Sequence, residues 1–479
     1  SIVFVALAAL LVASASARLL TVFQSPAHVP KAWRLVGPTA STENVQFKVA
    51  LRNQNMDILE QEVVKVSDPT NAAYGQWWTV DRIHDLIAPS LDDQMKVQTW
   101  LESFGMSVSR HGDFQIVTGS MDKVEKMLDT VFLTFQHESG KTVDRIMNYN
   151  IPNEFSGLIK FVSGLSSFPV QRSQPRVSAD DTAGKIVPET LWQLYNIPYK
   201  QEVSYYNSSI CLVEFQNDRS YNPDDLTTFE ANTLLPDVQP DHIVGPFRPK
   251  VPDFEATLDV QFGMGIAQNT STWYWTSTGW LYDWTTDFLA TDPVPYVVSM
   301  SWGWTEVGQC DIGACSGMTS QQYTETVNDQ FMQITMRGVT LLAASGDQGA
   351  PGDGNPKCSN RGAPISSIFP GSSPWILSIG ATMLNDASPN DPPVVYKSPV
   401  CQTTDCATNR VEKVCSYPDA LITTGGGFST FLAQPSYQTS EVKGYLNSGV
   451  ALPDSKDYNA TNRGFPDVSA NGHNYLCNL

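Results

Sequence analysis

Histidine is scarce in this chain, six among 479 residues, and only His242 and His473 lie beyond residue 185. That leaves little material for a histidine-based catalytic triad in the second half. Basic residues are few as well: 30 Lys and Arg stand against 49 Asp and Glu, a net charge of −19 with an isoelectric point near 4.6. An excess of that sign argues against nucleic acid or an anionic membrane as partner. No segment approaches ~18 consecutive apolar residues, so no membrane span is expected. No cysteine precedes Cys211, neither cysteine cluster has the C-x-x-C spacing, and no histidine lies close to one, which weakens a zinc reading.

What is present opens with an apolar run over 2–12 followed by Ala13-Ser14-Ala15-Ser16-Ala17. These are the hydrophobic core and A-x-A cleavage pattern of a secretory signal, with cleavage expected after Ala17. The sequence does not open on Met, so its N-terminus is expected to be incomplete. Secretion, or delivery to a lysosomal or vacuolar lumen, gives the eight cysteines an oxidising setting that favours disulfides. Cys310 with Cys315, and a pair drawn from Cys401, Cys406 and Cys415, are placed to close small loops. Asn207, Asn269 and Asn459 each begin an N-x-S/T triplet and are candidate glycan sites.

At about three times the ~150 residues of a typical domain, two domains are expected. Residues 18–185 hold 17 Lys and Arg against 19 Asp and Glu, and residues 186–479 hold 13 against 30, so the negative charge belongs to the second part. A polar, breaker-rich stretch over 172–184 marks the cut. The expected division is a signal over 1–17, a first domain over 18–172, a linker over 173–187 and a second domain over 188–479.

In the first part, 45–66 reads as a strand followed by a helix. A turn at Asp68-Pro69, the segment 80–87, a helix over 94–104, a strand over 114–117 and a helix over 121–131 come next. This is a small α+β domain in which nothing reads as a site. The second part alternates strands over 209–215, 294–301, 338–344 and 375–380 with helices such as 318–337, the pattern of a parallel α/β sheet. Ligands bind at the carboxyl ends of such strands. The aromatic cluster Trp273, Tyr274, Trp275, Trp280, Tyr282 and Trp284 reads as core packing, with the floor of a substrate cleft as the alternative.

Glu255 and Asp259 sit four apart in a stretch that reads as a helix over 254–262, so both carboxylates share one face about a turn apart. Like charges at that spacing repel. A solvated helix face is one reading; a proton-sharing catalytic pair, whose pKa values are pushed apart, is the other. A glycosidase pair fits less well, because its two carboxylates flank a sugar from different elements. Asp347 stands between glycines in Ser345-Gly346-Asp347-Gln348-Gly349, directly after the strand ending at Ala344, where an Asp often caps its own turn.

These acids occur together with Val298-Ser299-Met300-Ser301-Trp302-Gly303, Phe369-Pro370-Gly371-Ser372-Ser373-Pro374-Trp375, Gly425-Gly426-Gly427-Phe428-Ser429 and Arg463-Gly464-Phe465-Pro466-Asp467-Val468-Ser469-Ala470. In that order they resemble the sedolisin, or serine-carboxyl peptidase, family, the group that includes tripeptidyl-peptidase I and kumamolisin. Tyr74-Gly75-Gln76-Trp77-Trp78-Thr79, Trp100-Leu101-Glu102-Ser103-Phe104-Gly105 and Gly112-Asp113-Phe114-Gln115-Ile116-Val117 are similar to the family's activation propeptide. The resemblance implies a subtilisin-like parallel sheet with helices on both faces, preceded by a ferredoxin-like α+β propeptide that inhibits intramolecularly. It implies hydrolysis of peptide or protein substrates, with Glu255 as general base, Asp259 as the group that orients it and Asp347 as the oxyanion-hole acid. A carboxyl donates to an oxyanion only while protonated, so the chemistry belongs at low pH.

The family's nucleophile is a serine in a Gly-Thr-Ser-Ala type motif beyond the segment matched by 464–470, and no such motif follows here. Ser316-Gly317-Met318-Thr319-Ser320 lies upstream of Asp347, in the wrong order, and reads as a loop and helix start; Gly119-Ser120-Met121 reads as a turn. The family's calcium site and the last elements of its sheet are expected beyond residue 479. The chain as written is therefore expected to be an incomplete product, inactive and poorly stable, or else a non-catalytic decoy or inhibitor. Protonation of His84, His111 and His137 is a candidate trigger for propeptide release, against the alternative of scattered surface histidines.

Overall fold

The computed structural model describes residues 20–24, 29–169, 184–198, 208–215, 219–313, 315–352, 365–384, 394–408 and 411–479. The signal segment 1–17, most of the expected linker, Asn207 and Cys358 lie outside the described residues.

The first part runs β1 (Leu20–Gln24), β2 (Trp33–Pro38), β3 (Asn44–Leu51), α1 (Met56–Ser67), α2 (Val80–Ile87), α3 (Leu91–Ser103), β4 (Ser107–His111), β5 (Phe114–Ser120), α4 (Met121–Leu128), β6 (Leu133–His137), β7 (Thr142–Arg145), β8 (Asn148–Pro152) and β9 (Ile159–Ser163). Its main sheet is antiparallel in the order β4-β5-β3-β9, accompanied by the smaller sheets β2-β6-β7 and β1-β8. Alternation along β3 gives this sheet two uses. Phe47, Val49 and Leu51 join a core with Val97, Trp100 and Leu101 of α3 and Val124 and Leu128 of α4. Ala50, with Phe114 of β5 and Phe161 of β9, joins the core of the second part instead.

The second part runs α5 (Pro188–Leu194), β10 (Ser209–Glu214), α6 (Pro223–Thr233), β11 (His242–Val244), α7 (Phe254–Ile266), β12 (Ser271–Thr276), α8 (Leu281–Leu289), β13 (Val297–Met300), β14 (Trp304–Thr305), α9 (Ser320–Met336), β15 (Thr340–Ala344), β16 (Ile368–Phe369), β17 (Leu377–Leu384), β18 (Glu412–Val414), β19 (Gly427–Ala433), α10 (Thr439–Leu446), β20 (Asn462–Phe465) and β21 (Val468–Asn471). The central sheet has the order β11-β12-β10-β13-β15-β17-β18, with β21 also on β17. All its pairs are parallel except that of β18 with β17. Helices cover both faces, as the parity of β10 records: Leu212 packs with Ala256 and Val260 of α7, while Cys211 and Val213 pack with Trp284 and Phe288 of α8 and Phe331 of α9. Burial on both faces is why these strands read as continuous apolar runs. This is the expected α/β architecture.

Boundaries shift for local reasons. The strand expected from 294 begins at Val297, since Pro293 and Pro295 lack ladder donors. Helix α4 stops at Leu128, because Asp129 turns left-handed at φ 47. Helix α9 starts at Ser320 behind a capping box of Thr319 and Gln322. Trp275, Trp280, Tyr282 and Trp284 are buried in one core cluster with Trp273 partly buried against it, and Tyr274 in another, as packing and not as a cleft floor.

The outer face of α8 and α9 carries the first part. Phe161 and Tyr282 stack edge to face at 4.6 Å, and the Lys48 ammonium lies 2.8 Å from the Asp287 carboxylate and 2.7 Å from the Asp283 carbonyl. Leu59 and Val63 of α1 and Ile83 and Ile87 of α2 pack on Met332 and Met336. The Trp78 N–H donates to the Met336 carbonyl at 3.0 Å, and Gln333 donates to Asp113 at 3.0 Å.

Candidate active site

Strands of a parallel sheet all end on one edge, and α7 begins there. Asp253 caps it by accepting the Glu255 N–H at 3.0 Å. Glu255 is buried in the first turn, where the helix dipole favours its carboxylate, and Asp259 follows one turn on along the same face. Gly263, a further turn on, lets the helix close upon β10, since a Cβ there would stand 2.9 Å from Leu212 Cδ2. The expected helix and its two-acid face are present.

The Asp259 carboxylate meets the sheet at Ser301, the first residue after β13, whose Oγ lies 2.9 and 2.7 Å from its two oxygens. Next to β13 is β10, which ends in Glu214. Parity with Leu212 turns Glu214 toward α7, and the side chain is fully buried. Its Oε2 accepts the Trp302 indole N–H at 2.9 Å, while its Oε1 has no hydrogen-bond partner among the described residues. Burial first, and then the charges of Asp259 and Glu255, push this carboxyl well above the usual range. Glu214 is a site residue that sequence reasoning missed. The available signal was an acid closing an otherwise apolar strand at the edge where ligands bind.

On the other side of β13, β15 ends at Ala344 and Asp347 follows three residues later. The strand order β10-β13-β15 therefore sets Glu214, Ser301 and Asp347 in succession along one edge. The Asp347 loop is gripped by the glycine-rich segment: Thr423 N–H donates to the Asp347 carbonyl at 2.8 Å, Gly425 N–H to the Gly346 carbonyl at 2.7 Å, and the Ser345 hydroxyl to the Gly425 carbonyl at 2.9 Å. Only glycine fits at 425, because a Cβ would come within 2.1 Å of the Ser345 carbonyl oxygen. The Cys415 thiol, raised to about 11 by burial, also feels the Asp347 charge.

The remaining motifs brace this edge. Arg463, fully buried, reaches the Asp467 carboxylate at 2.5 Å and the Ile376 carbonyl at 3.2 Å, and Asp467 accepts the Ser378 N–H at 2.8 Å. Beyond β21, Gln261 of α7 exchanges hydrogen bonds with the Asn478 backbone at 2.8 and 3.0 Å. That brings Cys477 beside the acids: burial, then the charges of Asp259 and Glu255, push its thiol up to about 12.

Disulfides join Cys310 to Cys315 and Cys401 to Cys406, and among the described residues Cys211, Cys415 and Cys477 have no disulfide partner. Asn269 and Asn459 are exposed. Among the described residues no helix is long and apolar enough to cross a membrane, and no group of three or more His, Cys, Asp or Glu is placed to hold a metal ion.

Residues 31–168 match the family model described as Pro-kumamolisin, activation domain. The chain is 45% identical over 453 residues to Physarolisin of Physarum polycephalum, across 93% of this chain and 78% of that protein. To Tripeptidyl-peptidase 1 of Canis lupus familiaris it is 29% identical over 473 residues, across 93% and 76%. Among solved structures, Pseudomonas sedolisin (serine-carboxyl proteinase) complexed with two molecules of pseudo-iodotyrostatin aligns at 20% identity and a TM-score of 0.40, over 61% of this chain and 72% of that one. With the identity to Physarolisin running over 93% of its length, the chain belongs to the sedolisin, or serine-carboxyl peptidase, family and carries that family's activation domain.

Proposed function

We propose that this chain is the precursor of an acid-acting serine-carboxyl peptidase, an endopeptidase or tripeptidyl-peptidase of the secretory or lysosomal lumen. The observation that carries the reading is the Asp259–Ser301 contact beside buried Glu214, which supports an acid cluster built to share protons. Glu255, ionised, is the base that takes the hydroxyl proton of a serine as it attacks the scissile carbonyl. Asp259 orients Glu255 and shares its proton, and Ser301 steadies Asp259 from the sheet. Glu214, held neutral, spares the cluster a third negative charge. Asp347, protonated at low pH, donates to the oxyanion of the tetrahedral intermediate.

The activation domain, seated on α8 and α9, is the intramolecular inhibitor in this reading. The Gly-Thr-Ser-Ala type motif does not occur in residues 1–479, so the nucleophile is assigned to no residue here. Calcium is likewise assigned no ligands among the described residues. Asn207, Asn269 and Asn459 are the proposed glycan sites.

The test is hydrolysis of an unstructured peptide at pH ~4 by the full-length gene product after acid activation. Glu255→Gln and Asp347→Ala are each expected to lower kcat by about 10²–10³. Undiminished turnover in Glu255→Gln would remove the proposal.

A further inference from the structure

Glu306 follows β14 and is fully buried, yet no step of the proposed reaction uses it. Its carboxylate accepts five hydrogen bonds. Oε1 receives the hydroxyls of Ser372 at 2.5 Å and Ser429 at 2.7 Å. Oε2 receives the Ser367 hydroxyl at 2.7 Å and the backbone N–H groups of Thr430 at 2.6 Å and Phe431 at 3.2 Å. Charge-assisted bonds of this kind are about twice as strong as neutral ones. Ser372 and Ser429 belong to the motifs 369–375 and 425–429, whose presence the three acids alone do not explain.

The glycine-rich segment has two fastened ends. At one end Ser429, Thr430 and Phe431 hang on Glu306. At the other, Thr423 and Gly425 hold the carbonyls of Asp347 and Gly346 at 2.8 and 2.7 Å. Glu306 also lies five residues beyond Ser301, on the stretch that leaves the Asp259 contact and pairs as β14 with β16. One buried carboxylate therefore ties the segment leaving Ser301 to the segment gripping Asp347.

We propose that Glu306 is a positioning residue, setting where the Asp347 loop stands relative to the Glu255 and Asp259 side of the groove. The inference rests on the reading of Asp347 as the oxyanion acid. Catalytic groups have to be held within about 0.5 Å of productive geometry. A clamp outside the groove meets that need without adding charge beside the reacting atoms.

Glu306→Gln tests this with the fold retained: the amide oxygen replaces Oε2 toward the two backbone donors, and the amide nitrogen faces serine hydroxyls that are able to turn. Glu189→Gln is the matched control, a buried carboxylate that accepts the N–H groups of Lys397 and Ser398 and the Ser398 hydroxyl and has no partner in the site. In hydrogen exchange on the whole chain, the Thr423 and Gly425 amides are expected to exchange about tenfold faster in Glu306→Gln but not in Glu189→Gln. Equal rates in Glu306→Gln and wild type overturn the proposal.

In the acid-activated full-length enzyme, Glu306→Gln is expected to lower kcat about tenfold with KM within about twofold, and to cost little more in an Asp347→Ala background. Fully additive losses, or the same loss in Glu189→Gln, overturn it. If Asp347→Ala alone leaves turnover intact, the reading of Asp347 fails, and the exchange rates still decide whether Glu306 holds that loop.

Discussion

The Ser301 hydroxyl lies 2.9 and 2.7 Å from the two carboxylate oxygens of Asp259, and this contact joins helix α7 to the carboxyl edge of the sheet. A hydroxyl donating to a carboxylate favours the charged form. Ser301→Ala should therefore raise the proton affinity of the Asp259–Glu255 pair and leave Asp259 less firmly placed to orient Glu255. The expected result is a drop in kcat of about tenfold, with the acid limb of the kcat–pH profile displaced to higher pH and KM little changed. Ser301→Thr, which keeps the donor, should restore most of the rate. A profile in Ser301→Ala that superimposes on wild type would separate Ser301 from the proton balance.

Glu214 gives a stability prediction independent of turnover. Its carboxyl is raised in the folded protein by burial and by the neighbouring acids, so the folded state binds a proton that the unfolded state releases above its ordinary pKa near 4.5. The folded state therefore loses stability as pH rises from about 4.5 upward. Glu214→Gln mimics the neutral acid at every pH. It should raise the melting temperature at pH 7 by about 2–4 °C or more and change it little at pH ~4. An equal shift at both pH values would show that the side chain's shape, and not its proton, is responsible.

The sheet and the three acids were legible in the sequence because their signals are local. An apolar run such as 210–213 reads as a buried strand, four-residue spacing places Glu255 and Asp259 on one helix face, and an Asp between glycines marks the loop after Ala344. Glu214 was not legible, because its burial depends on α7 arriving over β10 from the far side of a crossover. Glu306 was hidden for the same reason: its hydroxyl and backbone donors lie 61 to 125 residues away. In the first part the helices over 56–67 and 121–128 follow the expected periodicity. Strand β2 was missed because Leu35 and Val36 are both exposed and break the alternation that announces a strand.

Lys48 anchors the activation domain. Its ammonium is buried, 2.8 Å from Asp287 and 2.7 Å from the Asp283 carbonyl. Lys48→Ala leaves both acceptors facing an apolar contact. Because Asp287 is part exposed, the loss should fall below that of a wholly buried pair, at about 1–3 kcal/mol of docking. That corresponds to roughly 5- to 160-fold in affinity. The dissociation rate of the activation domain from a precursor nicked in the linker measures it, and an unchanged rate would show that the other contacts of the interface hold the domain without Lys48.

Two groups at this interface respond to acid in opposite directions. His84 sits 3.9 Å from Asp113, with Asp81 and Asp85 on its own helix and Arg337 across the interface. Burial outweighs the carboxylates and holds its imidazole below the usual 6.5, so the docked state loses stability as pH falls through that value. Asp329, paired with Lys160 at 3.9 Å, is pushed up to about 6 by burial from an ordinary 3.8. The docked state takes up its proton across that window and gains stability as pH falls. His84→Gln should therefore keep the activation domain bound to lower pH than wild type. Asp329→Asn, neutral throughout, should strengthen retention most at pH 7, with the advantage fading toward pH ~4. Size-exclusion profiles of the nicked precursor between pH ~7 and ~4 read both effects. Release of His84→Gln at the wild-type pH would place the trigger elsewhere than on this histidine.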